Sequence, residues 1–479
     1  MDTKKLRQKI LDLAIHGKLV PQDPNDEPAS VLLERIRAEK ERLIKEGKIK
    51  KSKASKTSDT PHYENVPFEV PNGWVWSILP NLCTIPITDG THQTPTYTDK
   101  KHGIPFISSK DVTSQKINWD NIKYITKELH EELYKRVAPQ KDDILLAKNG
   151  TTGVAAIVED SRVFDIYVTL ALIRPNKNVN PYYLYYVINS GFCKEQFNSH
   201  LTGIGLPNLH LTDIKKTFIP LPPLTEQERI VSEIKRWFTL IDKLEQEKTD
   251  LLTAIKQTKS KILDLAIHGK LVPQDLNDEP ASELLKRINP NAEITCDNGQ
   301  YGKMPFEIPN SWLWLSHNDI LEISGGSQPA KSYFKETPEN GYIRLYQIRD
   351  YGEHPVPVYI PIELASKTTQ KGDILLARYG GSLGKVFIAE DGAYNVAMAK
   401  VILKFEHLLD KEFVYFYYLS KLYQDKLQTI SRTAQAGFNS SDFEDMYFPL
   451  PPIEEQQRIV HRIKSLYLAI DNIQKALEV

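Results

Sequence analysis

The sequence predicts an α+β protein that is a circularly permuted duplication of one module. Two divergent α+β domains are expected to be separated by long antiparallel coiled-coil helices related by a pseudo-two-fold axis. Three observations predict this fold class: a long internal repeat, shorter repeats that follow it in the same order, and helical periodicity in the segments between the divergent parts. A chain of 479 residues is also long for a single hydrophobic core.

The internal repeat is nearly exact at its start. Residues 9–36 and 261–288 differ at three of 28 positions. Shorter matches follow in the same order: 67–76 with 305–314, 141–148 with 371–378, and 218–235 with 447–464. The stretches between these matches share almost nothing. A repeated scaffold therefore carries two individual domains.

The spacing of the repeats shows where the circularly permuted duplication begins and ends. The match before each variable domain repeats at an offset of 252 (261 − 9), and the match after it at 229 (447 − 218). Val479 therefore corresponds to Asp250, and Met1 corresponds to Thr253. The two ends of the chain together make one copy of the central segment, so we expect the N- and C-terminal segments to pack together.

Long helices are predicted in the repeated segments. A helix is expected from Thr225, after two prolines, with apolar residues at alternating steps of four and three, which is typical of a coiled-coil seam. Gly17 and Gly269 are expected to end helices, with His16 and His268 as turn residues rather than metal ligands. The residues expected to pack between helices or against a partner are Leu6, Ile10, Ile230, Ile234, Trp237, Ile241, Leu244, Ile255, Ile459, Ile463, Leu466 and Ile470.

The pattern divides the chain into seven segments. Tyr-rich stretches 181–188 and 412–419 are predicted to be helices, and the two ILLA runs (144–147 and 374–377) buried strands. The expected boundaries are 1–36 for the N-terminal half of the distal helical region, 37–65 for a basic linker, 66–218 for the first variable domain, 219–288 for the central helical region, 289–303 for a second linker, 304–447 for the second variable domain, and 448–479 for the C-terminal half of the distal helical region. The basic linker is either a DNA-backbone contact or, the reading we favour, a solvated connection.

Polar loops of the variable domains are the candidate nucleic-acid contacts. Arginine can bond guanine, asparagine and glutamine can bond adenine, and lysine can bind phosphate. A net charge of −1 argues against a purely electrostatic DNA binder but allows local basic patches. The candidates are His92, Gln93, Lys110, Lys148, Asn149, Thr151 and Asn208 in the first domain, and Gln328, Lys331, Arg344, Gln347, Arg349, Arg378, Tyr379, Lys385, Arg432 and Gln435 in the second.

Catalytic and cofactor motifs are missing from the sequence. GGSLGKV at 380–386 lacks the spacing of a phosphate-binding loop, and NPYY at 180–183 lacks the second proline of an amino-methyltransferase site. The three cysteines are far apart, so neither a zinc site nor a disulfide framework is expected. We therefore expect a binder with no catalytic residues, no metal and no cofactor of its own. Without a signal peptide or an apolar run of about 20 residues, a cytoplasmic location with no membrane partner is expected.

The repeated motifs resemble one family. LPPLTEQERIV (221–231) and LPPIEEQQRIV (450–460), combined with GKLVPQ at 17–22 and 269–274, are similar to the specificity subunit of type I restriction-modification enzymes. The resemblance implies that each variable domain is a target recognition domain reading one half of a bipartite, asymmetric site in double-stranded DNA. It implies that the helices set the spacer and dock two modification subunits, which carry S-adenosylmethionine and methylate adenine, with restriction subunits supplying ATP- and Mg-dependent translocation and cleavage.

Two other functions are left open by the sequence. The chain could be a protein–protein scaffold with two variable interaction domains, or an enzyme whose site has no recognisable motif. Retention of a bipartite duplex distinguishes the first alternative from DNA recognition. Methylation by this chain alone would favour the second.

Overall fold

The computed structural model describes residues 2–49, 66–199, 208–290, 304–430, 438 and 440–478. They form two units, Met1–Glu247 (unit 1) and Lys248–Val479 (unit 2). The helices of unit 1 are α1 (Thr3–Ile15), α2 (Ala29–Lys45), α3 (Lys127–Arg136), α4 (Pro181–Ile188), α5 (Gly191–Asn198), α6 (Leu211–Ile214) and the first part of α7 (Leu224–Ile267). Its strands are β1 (Val75–Ile78), β2 (Thr88–Asp89), β3 (Tyr97–Thr98), β4 (Ile104–Ile107), β5 (Lys123–Ile125), β6 (Ile144–Ala147), β7 (Ala155–Ile157), β8 (Asp165–Ile166), β9 (Leu170–Ile173) and β10 (Phe218–Leu221).

Unit 2 repeats most of this order of elements, with β15 at the place in the chain where unit 1 has α3. Besides the second part of α7, its helices are α8 (Ala281–Ile288), α9 (His317–Ile320), α10 (Lys411–Leu419), α11 (Lys421–Ile430) and α12 (Ile453–Glu478). Its strands are β11 (Leu313–Ser316), β12 (Leu321–Gly325), β13 (Tyr342–Tyr346), β14 (Tyr359–Pro361), β15 (Thr368–Thr369), β16 (Ile374–Ala377), β17 (Val386–Ile388), β18 (Gly392–Tyr394), β19 (Met398–Leu403) and β20 (Tyr447–Leu450).

The two variable domains share a sheet topology that their sequences do not reveal. Each has a two-stranded pair (β1-β10, β11-β20) and a four-stranded antiparallel sheet (β2-β9-β6-β7, β12-β19-β16-β17). The register also matches, because Ile144 lies opposite Ile173 and Ile374 lies opposite Val401. The remaining sheets share a three-stranded core, β5-β4-β8 and β14-β13-β18, with one parallel pair each. They differ at the edge, where β3 flanks β5 in unit 1 and β15 flanks β18 in unit 2.

The strands and helices predicted inside the domains are confirmed. Both ILLA runs are strands, β6 and β16, and all their residues are buried. The Tyr-rich stretches form α4 and α10, and Tyr183 and Tyr417 are each at most 1% exposed. These aromatic residues therefore belong to the core, as expected from their helical spacing.

Both helices end next to the predicted glycines. Gly17 follows α1 and Gly269 follows α7, with φ of +65° and +67°. A β-carbon at either glycine would also lie 2.3–2.4 Å from the ring of Pro71 or Pro309. Glycine is therefore required at both positions by backbone conformation and by close packing.

The basic linker of 37–65 begins as helix. α2 continues past Ile36 to Lys45 because its outer turns contact the variable domain. Lys40 Nζ donates to the Pro80 carbonyl at 2.8 Å, and Glu39 pairs with Lys177 at 3.1 Å. Residues 50–65, and 291–303 of the second linker, lie outside the described residues.

Each unit pairs one terminal segment with part of α7. In unit 1, Arg7 of α1 pairs with Asp242 at 2.6 Å, while Asp26, further along the chain, pairs with Arg229 near the start of α7. The pairs Lys259–Asp471 and Asp278–Arg458 occupy the equivalent positions of unit 2. In both units the residue number of one partner decreases as the residue number of the other increases. The two paired segments therefore run antiparallel.

The helix-packing residues divide into covered and exposed groups. Buried members are Ile10, Ile230, Ile234, Ile241, Ile255, Ile459 and Ile463, and Leu6, Leu466 and Ile470 are partly buried against the cores. Trp237 and Leu244 are 38% and 46% exposed instead. Arg7 of α1 contacts Phe238 and Asp242, and Phe238 packs against the same core as Ile241. Phe238, about 100° further round α7, therefore takes the place expected for Trp237. For Trp237 and Leu244, contact with a partner stays a prediction.

A repeated Glu-Gln pair at the start of α7 and of α12 joins each domain to its helix. In unit 1 the Glu226 carboxylate accepts hydrogen bonds from the Trp74 indole and the Gln22 amide, both at 2.9 Å. Gln227 Oε1 accepts from the backbone N–H of Asn180, which caps α4. One dipeptide therefore holds the N-terminal segment, the first tryptophan of the domain and the Tyr-rich helix.

Unit 2 contains the same joint. Glu455 accepts from the indole of Trp312 at 2.9 Å and from Gln274, and Gln456 Oε1 accepts from the N–H of Asp410 at 2.7 Å. Burial raises the pKa of the Glu455 carboxyl, and the hydrogen bonds from Trp312 and Gln274 offset part of that effect. The carboxylate is thus a buried acceptor whose two donors come from different segments.

The core of unit 2 contains a buried histidine where unit 1 has an apolar residue. His317 is fully buried, stacks on Phe443 and lies 2.7 Å from the Tyr418 hydroxyl. Burial lowers its pKa from 6.5 to about 4. The equivalent positions of unit 1 are the apolar residues Leu79 and Ile188 (317 − 238 and 418 − 230).

We predict that acid destabilises unit 2 through His317. Because the folded pKa is below the unfolded one, the neutral ring favours folding above pH 6.5, and this contribution is lost as the pH falls from 6.5 towards 4. Urea unfolding at pH 8 and pH 5 should show a loss on the order of 2 kcal/mol from this group. The matched variant His317→Leu/Tyr418→Ile, which installs the pair of unit 1, should lack that part of the loss. An identical pH dependence in both proteins would contradict the prediction.

Candidate nucleic-acid interface

In unit 1 the candidate loops meet at one end of the two large sheets. Thr169, in the turn between β8 and β9, accepts from the N–H of Ser109 after β4 on its hydroxyl oxygen at 3.0 Å and from the N–H of Lys148 after β6 on its carbonyl oxygen at 2.8 Å. The Leu209 N–H donates to the Lys148 carbonyl at 2.9 Å. These hydrogen bonds bring loops that are far apart in sequence together on one surface.

The surface contains a cleft of about 580 Å³, lined in part by His92, Lys148, Asn149 and Asn208. Asn149 and Asn208 form an isolated β-bridge and are half-buried. The candidates that are exposed are His92, Gln93, Lys110 and Thr151. Polar side chains held by backbone bonds around a shallow cleft can present donors and acceptors to the edges of bases.

Lys148 is not a freely exposed cation. Its ammonium lies 2.6 Å from the Asp89 carboxylate, and both side chains are at most 8% exposed. Although burial alone would raise the pKa of Asp89, hydrogen bonding and charge from Lys148 and then His92 keep that pKa below its usual value. His92 and Arg136 also approach Asp89, at 3.3 and 3.5 Å. Asp89 is thus the acceptor around which the basic groups are arranged.

Unit 2 builds the equivalent surface with different side chains. A Ser108–Asp111 capping box follows β4, and a Gln347–Asp350 capping box follows β13. In each box the residue two positions after the N-cap is basic and exposed, so Lys110 and Arg349 are equivalent. Lys148 and Arg378, which follow the two ILLA strands, are also equivalent. Tyr379 takes the place of Asn149, and half-buried Gln328 takes that of His92.

The largest difference lies beside the cation that follows the ILLA strand. Gly325 occupies the position of Asp89, and a β-carbon there would be 2.6 Å from Arg378 Nη1. The guanidinium lies over this glycine and donates to the Phe438 carbonyl at 3.3–3.4 Å. A bulky fork-shaped cation thus requires glycine where the compact ammonium of unit 1 has a carboxylate.

The other candidates of unit 2 have varied surroundings. Arg344 is half-buried, pairs with Asp350 at 3.3 Å and lies over the rings of Tyr346 and Tyr359. Gln347 is half-buried in its capping box, whereas Lys331 and Lys385 are exposed. Arg432 and Gln435 lie outside the described residues. DNA contact by any of the candidates stays a prediction.

Sequence reasoning missed Asp89, Thr169 and Asp350, which position the candidates. The repeat does not identify Asp89 or Thr169, because Asp89 corresponds to a glycine and Thr169 corresponds to Ala397 in the other copy. A partial signal was present in the segments SSKD and QIRD, where an acid follows a polar residue by three positions after a predicted strand, which is the spacing of a capping box.

The described parts of the chain have neither a candidate metal site nor a candidate membrane-spanning helix. They contain no group of three His, Cys, Asp or Glu side chains that could hold a metal ion. None of the helices within these same ranges is long and apolar enough to span a membrane.

Comparison with known proteins defines the class as a two-domain DNA specificity protein. The family described as the type I restriction modification DNA specificity domain matches residues 71–254 and 309–479. Because these matches cover most of the chain, the chain belongs to the type I restriction-modification DNA specificity family. The resemblance expected from the repeated motifs is confirmed.

Two relatives and two solved structures agree with this assignment. The EcoAI specificity subunit of Escherichia coli is 28% identical over 97% of this chain and 88% of that protein, and the EcoEI subunit of Escherichia coli is 28% identical over 99% and 91%. A chain from a study of assembly and conformational transition of the type I R-M system matches with a TM-score of 0.57 at 20% identity, covering 86% of this chain and 94% of that one. The HsdS subunit from Thermoanaerobacter tengcongensis matches with a TM-score of 0.50 at 19% identity, covering 86% and 93%. These structures support the fold.

We predict that Lys148 depends on Asp89 for its place in the fold. Asp89→Gly should destabilise unit 1 by about 3–5 kcal/mol, because it leaves a buried ammonium without its counter-charge. Asp89→Gly/Lys148→Arg, which installs the glycine–arginine arrangement of unit 2, should recover most of this loss. Urea unfolding of both variants and the parent chain measures the difference. An unchanged midpoint in Asp89→Gly, or no recovery in the double variant, would contradict the prediction.

Proposed function

We propose that each variable domain reads one half of a bipartite, asymmetric site in double-stranded DNA. One observation carries the proposal: the same fold presents the same surface twice, with different side chains at matched positions. Lys110, Asn149 and the Asp89–Lys148 pair of unit 1 are matched by Arg349, Tyr379 and Gly325 beside Arg378 in unit 2. Different donors and acceptors at equivalent positions select different bases, so the two half-sites should differ.

α7 supports a spacer between the half-sites. It is one helix of 44 residues that begins in unit 1 and ends in unit 2, and at about 1.5 Å per residue it is about 66 Å long. Each end of the helix is bound to its own unit by the antiparallel pairs described above. A helix attached at both ends is a suitable element for setting the number of unread base pairs.

The chemistry of the complex is proposed to belong to partner subunits. Two modification subunits would carry S-adenosylmethionine and methylate adenine, and restriction subunits would use ATP and Mg for translocation and cleavage, all in the cytoplasm. Membership of the specificity family supports this division of labour. This chain would contribute recognition without catalytic residues of its own.

Exchanging a domain within the chain tests the assignment of half-sites. We expect that replacing 66–218 with a copy of 304–447 changes the asymmetric site into an inverted repeat of the second half-site, because both positions then carry the same reader. The reciprocal replacement should produce an inverted repeat of the first half-site. The measurement is the genome-wide adenine methylation motif in cells that express the modification subunit.

Two outcomes would contradict the proposal. A motif that stays asymmetric after both exchanges would show that the variable domains do not read the half-sites. Methylation at an unchanged motif after deletion of this chain would show that another protein supplies specificity. Retention of the parent site by the purified complex, measured against a duplex lacking one half-site, checks that recognition is direct.

A further inference from the structure

Unit 1 has a helix beside its candidate interface at a place where unit 2 has a strand. α3 lies between β5 and β6, and the corresponding part of unit 2 contains β15. β15 pairs with β18 through the backbone, whereas α3 contacts β8, the strand equivalent to β18, through a side chain. Every residue of α3 is at least partly exposed. The two domains therefore differ here by a whole element and not only by side chains.

A buried hydrogen-bonded pair attaches α3 to the sheet. His130 Nδ1 of α3 lies 2.6 Å from the Asp165 carboxylate of β8, and the two side chains are 18% and 1% exposed. Burial raises the pKa of the Asp165 carboxyl, and the hydrogen bond with His130 offsets part of that effect. The other carboxylate oxygen, Oδ1, is buried and has no hydrogen-bond partner among the described residues. A buried acid thus depends on His130, and this contact fixes the middle of α3 against β8.

The last residue of α3 brings an arginine to the edge of the cleft. Arg136 Nη2 lies 3.5 Å from the Asp89 carboxylate, and the arginine side chain is 51% exposed. The chain that leaves the helix is held as well, because the Ala138 carbonyl accepts from Arg174 at 2.7 Å. Asp89 is bound more closely by Lys148, at 2.6 Å, so its contact with Arg136 is the weaker one. The guanidinium is therefore oriented by a carboxylate and keeps exposed donors for another acceptor.

The parts of this arrangement are replaced together in unit 2. Gly325 takes the place of Asp89, and β15 takes that of α3. Ala393 occupies the position of Asp165 in the equivalent parallel strand pair. The helix, the buried acid that holds it and the acceptor of its arginine thus occur as a set in the first domain.

We propose that Arg136 reads a guanine in the first half-site and that α3 is an additional reading element of this domain alone. The inference rests on the proposed function, because it concerns the surface of unit 1 that is proposed to face DNA. A guanidinium can donate two parallel hydrogen bonds to O6 and N7 of guanine. The adjacent Asp89 carboxylate orients this fork and repels a phosphate, which favours a base edge over the DNA backbone. Arg136 contacts the base, and His130 and Asp165 are positioning residues.

The test measures base preference at each position of the first half-site. Genome-wide adenine methylation gives the parent motif, and the domain exchange described above identifies the half that 66–218 reads. The purified complex of this chain with the modification subunit is then bound to duplexes in which each base pair of that half is substituted in turn. We expect Arg136→Ala to lower the preference for one G·C pair by at least ~10-fold. Preferences at the other positions and in the second half-site should stay as in the parent.

Two further variants test how α3 is held. His130→Leu/Asp165→Ala removes both partners, so that no buried charge is left alone, and should relax the preference for the same G·C pair. His130→Asn keeps a donor near the position of Nδ1 and should retain the parent preference. The control Lys127→Ala removes an exposed charge from the first turn of α3, at the other end from Arg136, and should also retain it.

Each contrary outcome has its own meaning. Uniformly weaker binding of Arg136→Ala, with all base preferences intact and a salt dependence lower by about one phosphate contact, would overturn guanine reading. Unchanged binding by that variant, or a first half-site without a G·C pair, would overturn it too. An unchanged preference in His130→Leu/Asp165→Ala would refute the positioning role and leave the arginine contact in place. A parent complex that binds no bipartite site would instead contradict the proposed function.

Discussion

The arrangement of the protein depends on one buried hydrogen-bonded joint that occurs twice. A glutamate at the start of a helix, Glu226 or Glu455, accepts from a tryptophan of the variable domain and from a glutamine of the preceding repeat segment. The next residue, a glutamine, accepts from the N-terminal N–H groups of the Tyr-rich helix region. Removing such an acceptor leaves the buried indole N–H of Trp74 or Trp312 unpaired, at a cost of about 1–3 kcal/mol. The joint therefore fixes the direction in which each domain leaves its helix, and it explains why the Glu-Gln motif is the same in both copies.

Around this constant joint, the variable domains keep a fold and change a surface. The sheets have matched order and register, yet Asp89 beside Lys148 is replaced by Gly325 beside Arg378. The change is concerted, because a carboxylate cannot occupy the space under the guanidinium. Each module thus keeps its fold and differs from the other copy on the surface where DNA is proposed to bind.

Much of this organisation could be predicted from the sequence, because repeats and apolar periodicity report directly on helices and buried strands. The helix from the Leu-Pro-Pro motif, the glycine stops, the ILLA strands and the Tyr-rich helices are all present as expected. Sheet order could not be predicted, since pairing joins strands that are far apart and whose sequences have diverged. Trp237 was placed on the seam because it lies at steps of three and four from Ile234 and Ile241, but Phe238 fits such steps equally well and is the residue that packs against the core. The burial of Lys148 depends on Asp89, 59 residues away, which no local pattern reveals.

The central claim is that two different readers are joined by one continuous helix that sets the gap between the half-sites. Inserting seven helix-forming residues after Thr249 lengthens α7 between the Arg7–Asp242 and Lys259–Asp471 pairs without altering either ion pair. Seven residues add about 10 Å, which is roughly three base pairs of duplex. The direct measurement is the genome-wide adenine methylation motif of cells carrying this variant with the modification subunit. The account predicts both half-sites unchanged and a gap longer by about three base pairs, or loss of methylation if the complex cannot span it. Full methylation at the original gap would contradict it.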